Sequence, residues 1–288
     1  MKKLGVLLII IILTSMIGFG CSRASNLSSD DTSSKPSTEL KEGNDSTEKI
    51  VDENLDKYFE GFDGCFVLFD QKKNEYSIYN KEKSEKQISP CSTFKIVNSL
   101  IGLETNVLQD ENTTFKWDGT KYPIDTWNKD QTLQSAVSNS VVWYFQEVAS
   151  KVGEEKMKSY LDKLNYGNKD ISGGITKFWL QSSLKISPKE QVDMLRELYN
   201  NKLPFSDKNI NVVKKVLILS NQDGVIFSGK TGSGTFDKKG INGWFVGYVE
   251  RDNNVFFFAT NIEGKDNASG AKAQQITTQI LKDKNILS

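Results

Sequence analysis

Runs of aromatic and β-branched residues occur at both ends of the foldable part of this chain, and helical periodicity fills the stretch between them. Asp63–Asp70 (DGCFVLFD) reads as a strand bounded by turn formers, and Glu75–Tyr79 (EYSIY) as its hairpin partner. Far along the chain, residues 225–229, 243–250 and 255–262 are apolar runs separated by Gly, Asp and Asn, and they read as adjacent strands. Between these sets, a helix is expected from about Pro90, with Ile96, Val97, Leu100 and Leu103 on one face. Residues 140–152 and 154–164 read as two more helices. Ser187-Pro188-Lys189-Glu190 is a strong helix start, with a serine cap, proline in the first turn and glutamate three residues on. A terminal helix is expected over 270–281. Strands at both ends with helices in the middle predict an α/β (α+β) fold: one antiparallel sheet built from both termini, flanked by helices, with a helical subdomain inserted.

The chain opens Met1-Lys2-Lys3, followed by an apolar run from Leu4 to Leu13 that weakens toward Gly20. This is the pattern of a signal peptide. The run closes Ile17-Gly18-Phe19-Gly20-Cys21-Ser22, and a small residue just before a cysteine resembles a bacterial lipoprotein cleavage site, although Gly18 stands where an aliphatic residue is usual. The expectation is a signal peptide over 1–21 with lipid on Cys21. An uncleaved membrane anchor is the alternative, at the short limit for crossing a bilayer. Either way the remainder lies outside the cytoplasm, held on the outer face of a bacterial cytoplasmic membrane or secreted. Residues 22–48 are mostly Ser, Thr, Asp, Glu, Lys and Asn. They bury too little to offset their ordering entropy and read as a disordered tether, leaving 49–288 as the folded domain.

Composition narrows the chemistry. The chain has 288 residues, 37 basic and 37 acidic, and no long basic block, so nucleic acid is not an expected partner. Histidine is absent, which excludes a Ser-His-Asp triad, a Cys-His dyad and histidine-ligated zinc. Any nucleophile must be activated by lysine, carboxylate or tyrosine. Cys21, Cys65 and Cys91 form no CxxC pair, so no metal site is expected. Cys65 and Cys91 are expected as free buried thiols, with a disulfide between them as the alternative. Arginine occurs only at 23, 196 and 251, leaving few candidates for a bidentate carboxylate grip.

Ser92-Thr93-Phe94-Lys95 is an S-x-x-K pattern, and i, i+3 spacing on a helix brings the lysine nitrogen to the serine oxygen. Alone it is weak, because the same pattern starts at Ser46, Ser182 and Ser269. Lys230-Thr231-Gly232 closes an apolar strand and is followed by Ser233-Gly234. A strand lysine offers a fixed charge, the threonine a hydroxyl, and the glycine close approach to the backbone. The two patterns together belong to the set shared by β-lactamases and penicillin-binding proteins. Between them lie Ser140-Val141-Val142 and Tyr166-Gly167-Asn168.

S-x-x-K, S-x-V, Y-G-N and K-[ST]-G in this order resemble the class D (oxacillinase-type) serine β-lactamases, and the order selects Ser92 among the four S-x-x-K matches. The stretch Gly173 to Leu180 (GGITKFWL) is similar to that family around its active-site tryptophan. The resemblance runs from about residue 49 to the end. It implies a serine β-lactamase/transpeptidase-like fold and hydrolysis of β-lactam antibiotics through an acyl-enzyme on Ser92, conferring resistance. It also implies a general base made from Lys95 and carbon dioxide (N6-carboxylysine), with no other cofactor. Val142 and Trp179 would line the pocket of that base, and the Trp179 indole N–H would bond it. Ser140 would relay a proton toward the leaving nitrogen, and Lys230 would tune the local field. The backbone N–H groups of Ser92 and Ser233 would form the oxyanion hole, and Thr231 would contact the substrate carboxylate. Tyr166 and Asn168 are expected to be loop scaffolding. The arginine that the family often carries near the start of the last helix is missing; Lys272 is the cation nearest that place in sequence. Two alternatives stand beside hydrolysis. One is a β-lactam sensor domain that acylates without turnover, which the single N-terminal apolar segment disfavours. The other is a cell-wall transpeptidase. Oligomeric state and substrate spectrum stay open.

Overall fold

The computed structural model describes residues 48–287. The expected signal peptide, Cys21 and the tether up to residue 47 lie outside the described residues. In chain order the elements are β1 (Lys49–Asp52), β2 (Asp63–Asp70), β3 (Glu75–Tyr79), α1 (Lys81–Glu85), α2 (Lys95–Glu104), β4 (Thr114–Phe115), β5 (Gln131–Thr132), α3 (Leu133–Ser138), α4 (Val142–Val152) and α5 (Glu154–Lys163). They continue with α6 (Pro188–Tyr199), α7 (Asp207–Val216), β6 (Ile218–Gln222), β7 (Val225–Phe236), β8 (Lys239–Arg251), β9 (Asn254–Glu263) and α8 (Gly270–Asp283).

Seven strands form one sheet in the order β1-β3-β2-β9-β8-β7-β6. The two halves of the sequence meet where β2 pairs antiparallel with β9, from Asp63 opposite Glu263 to Asp70 opposite Phe256. Every pairing is antiparallel except the edge pair β1–β3, which is parallel. Alternation along the strands loads both faces. On one face Val67, Phe69, Trp244, Val246, Tyr248, Phe257 and Ala259 join the core that holds α2, α4 and α6. On the other, Phe66, Leu68, Phe245, Val249, Phe258 and Ile262 pack against Ala273, Ile276, Ile280 and Leu281 of α8. Each such aliphatic side chain contributes roughly 1.5–3 kcal/mol by burial.

The cap of α6 forms as its sequence dictates: Ser187 Oγ accepts from the Glu190 N–H at 3.2 Å, and the Glu190 carboxylate accepts from the Ser187 N–H at 2.7 Å. Two helix starts differ from expectation. Residues Cys91–Phe94 form a 3₁₀ turn and the α-helix begins only at Lys95, because Cys91 takes a φ of 49°, outside the helical basin. Ser140 takes a φ of 53°, so α4 begins at Val142. The strands also outrun the predicted segments: β7 continues through Lys230-Thr231-Gly232 to Phe236, carried by pairing with β8. Cys65 and Cys91 are free and buried.

Candidate active site

The 3₁₀ turn sets the central contact. With three residues per turn, positions i and i+3 eclipse. Lys95 Nζ accordingly lies 2.6 Å from Ser92 Oγ. Lys95 is wholly buried, with its Nζ 5.6 Å from the Phe145 ring centroid. Among the described residues no carboxylate comes within ion-pair distance of it. Burial therefore pushes the Lys95 ammonium well below the ordinary lysine range, and the nearby Lys230 pushes it further.

Lys230 reaches the same spot from β7. Its Nζ donates to Ser140 Oγ at 3.1 Å and to the Thr231 carbonyl at 3.1 Å, and burial lowers its pKa to about 7. Ser140 Oγ also lies 3.4 Å from Lys95 Nζ. The left-handed turn before α4 thus presents one hydroxyl to both lysines. Strain of this kind costs on the order of 1–3 kcal/mol and persists where surrounding packing imposes it. Gly232 lets β7 close on the Ser92 turn: a Cβ there would lie 2.9 Å from the Pro90 carbonyl and 3.3 Å from the Ser92 nitrogen. Thr231 Oγ1 stays 3.5 Å from Lys230 Nζ, and Ser233 Oγ accepts from the Gly270 N–H at the start of α8 at 2.8 Å.

Trp179 is fully buried and packs against Phe94 and Phe178, at ring-centroid distances of 5.6 and 5.0 Å. Its indole N–H has no hydrogen-bond partner. A buried donor left unpaired costs about 1–3 kcal/mol, so this one is suited to an acceptor brought in from outside the chain. Val142 is half-buried on the first turn of α4; the ring beside Lys95 is Phe145, one turn further along the same face. Lys272 does not join the lysine cluster, its Nζ lying 3.4 Å from Gln275 Oε1 on its own helix.

The Tyr166-Gly167-Asn168 segment is a staple. Asn168 donates to the Ser183 carbonyl at 2.8 Å and accepts from the Lys185 N–H at 2.9 Å. Gly167 has a φ of 50°, and a Cβ there would stand 1.9 Å from the Lys185 carbonyl oxygen. The Tyr166 ring meets Phe94 edge-on at 5.7 Å, behind the Ser92 turn. The other three S-x-x-K matches are elsewhere: Ser46 lies outside the described residues, Ser182 is in a loop and Ser269 caps α8.

A serine hydroxyl, two buried lysines and a bridging hydroxyl thus meet on a sheet-and-helix scaffold. The model of the penicillin binding protein transpeptidase domain matches residues 64–282. The class D β-lactamase BAT-2 superposes with a TM-score of 0.78 at 43% identity, covering 82% of this chain and 97% of that one. The C-terminal domain of the Bacillus licheniformis BlaR penicillin receptor superposes with a TM-score of 0.80 at 39% identity, covering 83% and 98%. The methicillin resistance mecR1 protein of Staphylococcus aureus is 43% identical over 81% of this chain, and this chain spans only 40% of its length. The chain belongs to the class D (oxacillinase-type) serine β-lactamase family.

Proposed function

We propose that this chain hydrolyses β-lactam antibiotics through an acyl-enzyme on Ser92, and so confers resistance on the cell that exports it. The observation that carries this reading is the buried Lys95, without a carboxylate partner, at 2.6 Å from Ser92 Oγ. Kept neutral by its surroundings, it has a lone pair for the serine proton, which supplies the base that a histidine-free chain otherwise lacks. Ser92 Oγ attacks the lactam carbonyl, the ring C–N bond breaks, and the ring nitrogen takes a proton through Ser140, which Lys230 orients. The Ser92 and Ser233 N–H groups bind the carbonyl oxygen as its charge develops, and Thr231 meets the substrate carboxylate. Water then cleaves the ester and returns the proton to Ser92.

Lys95 also meets the requirements for a carbamate. A neutral amine adds to the carbon of carbon dioxide with loss of one proton to water, and the unpaired Trp179 N–H is a donor for the resulting oxygen. When present, that group supplies an anionic base for both acylation and deacylation. Val142, Phe145 and Trp179 keep water from the nitrogen. At the other end of the chain, residues 1–21 act as a lipoprotein signal with lipid on Cys21, and 22–48 tether the domain outside the cell membrane.

A second reading, a β-lactam sensor that stays acylated, is favoured by the likeness to the BlaR penicillin receptor. Steady-state hydrolysis of a chromogenic β-lactam by the full chain separates the two, run in degassed buffer and again with bicarbonate. Multiple turnovers that rise with bicarbonate support the hydrolase. A single stoichiometric burst, unmoved by bicarbonate, selects the sensor.

A further inference from the structure

A buried run of amides joins the nucleophile turn to the loop that carries Trp179. Asn242 on β8 is fully buried and uses both hydrogens of its amide: one goes to the Ser89 carbonyl at 3.0 Å and one to Gln181 Oε1 at 3.0 Å. Its own oxygen accepts from Asn261 Nδ2 at 2.9 Å, which fixes the amide's orientation. Trp244 Nε1 donates to the same Ser89 carbonyl at 2.9 Å. Ser89 Oγ in turn donates to the Trp179 carbonyl at 3.2 Å. Gln181 Oε1 accepts a second bond, from the Cys91 thiol at 3.4 Å. That thiol stays protonated because burial pushes its pKa up to about 11.

The residues so joined are both in the left-handed region, Cys91 at φ 49° and Gln181 at φ 51°. Each adjoins a functional group: Cys91 precedes Ser92, and Gln181 follows Trp179 by two residues. Gly234 leaves the space for the link, since a Cβ there would lie 2.2 Å from Gln181 Oε1 and 3.1 Å from Cys91 Sγ.

We propose that Gln181 and Asn242 are positioning residues that clamp the Trp179 loop onto the nucleophile turn and so set how tightly a carbamate on Lys95 is held. The proposal rests on the carbamate reading of Lys95. The unpaired indole N–H can serve the Lys95 nitrogen only if the Trp179 backbone is fixed relative to the turn, and the clamp holds it at Ser89 and at Gln181. Gln181 acts only as an acceptor here, and its residue is exposed, so a carboxylate of the same length can replace it and a thioether cannot.

The test is carbamate occupancy in the full-length wild type, Gln181→Met and Gln181→Glu, read from the carbamate ¹³C signal during titration with ¹³C-bicarbonate, alongside turnover of a chromogenic β-lactam. For Gln181→Met the half-saturating bicarbonate rises about fivefold, the worth of one neutral hydrogen bond, while kcat at saturating bicarbonate returns to the wild-type value. Gln181→Glu behaves as wild type. Equal half-saturation in the wild type and Gln181→Met overturns the proposal, as does an equal defect in the Met and Glu variants. Wild-type protein with neither a carbamate signal nor a bicarbonate response overturns the carbamate reading itself, and the proposal with it.

Discussion

Lys230 should cost the protein stability at neutral pH, and replacing it with methionine should make the fold firmer while ending its activity. Burial lowers the Lys230 pKa from 10.5 to about 7. Between those values the unfolded chain binds the proton that the folded chain has released, so folding stability rises with pH across this window. Below pH 7 both states hold the proton and the full penalty of a buried ammonium is felt. At 1.36 kcal/mol per pH unit, the interval from about 7 to 10.5 corresponds to about 5 kcal/mol. Methionine fills a similar volume without charge but forfeits the bonds to Ser140 Oγ and the Thr231 carbonyl, which returns roughly 1–3 kcal/mol. Lys230→Met is therefore expected to be more stable than wild type by roughly 2–4 kcal/mol at pH 6–7. Urea unfolding of both proteins from pH 6 to 10.5 measures this, because titrations remote from Lys230 cancel in the difference and Lys95, which Lys230 pushes down, is among the described residues the one neighbour whose titration changes with it. The advantage of the variant should shrink as pH rises and vanish or reverse near pH 10.5. A difference that does not change with pH would refute the claim that Lys230 is held partly neutral by burial.

Other expectations concern single positions. Lys95→Ala removes the amine that lies 2.6 Å from Ser92 Oγ, so turnover of a chromogenic β-lactam should fall to background, and full activity would sink the mechanism. Trp179→Phe keeps the stacking on Phe94 but deletes the unpaired N–H; its activity should need several-fold more bicarbonate for half-saturation, a shift that an ordinary core aromatic would not produce. Gly167→Ala places a methyl 1.9 Å from the Lys185 oxygen at a left-handed residue and should lower stability by more than about 2 kcal/mol in thermal or urea unfolding, with wild-type stability as the contrary result.

The chemistry of the site was more legible than its geometry. Ser92 and Lys95 could be paired from spacing because i and i+3 share a face in an α-helix and eclipse in a 3₁₀ turn, so the wrong helix type still gave the right contact. The left-handed conformations of Cys91, Ser140 and Gln181 left no trace in residue type, since none is Gly or Asn; tertiary packing imposes them. Phe145 was within reach of sequence reasoning, as it lies one helical turn from Val142 on a segment read as a helix. Asn242 and Asn261 were not. In sequence they are polar residues inside apolar strands, and only the register of β8 on β9 brings them together. The short, largely exposed β1 and the wholly exposed β6 escaped notice because neither carries the alternation of a half-buried strand. The place of Lys272 in α8 was readable, but its contact with Gln275 on its own helix was not.

The pairing of β2 with β9 has a consequence for how the chain comes to be folded. A side-chain bond from Asn254 to Asp70 spans 184 positions, and it sits in the middle of the sheet rather than at an edge. As the polypeptide is synthesised, the β2–β3 hairpin and its Phe66 and Leu68 side chains wait for a neighbour that is made almost last. Until α8 follows β9, the face of the sheet that carries Phe66 and Leu68 has nothing to cover it, and until β7 is made the turn bearing Ser92 has no strand to lie against. Long-range closure of this kind is slow and leaves apolar strand edges open meanwhile. The domain should therefore condense in one late event, with the Ser92, Lys95 and Lys230 cluster assembled only after β7 to α8 are present.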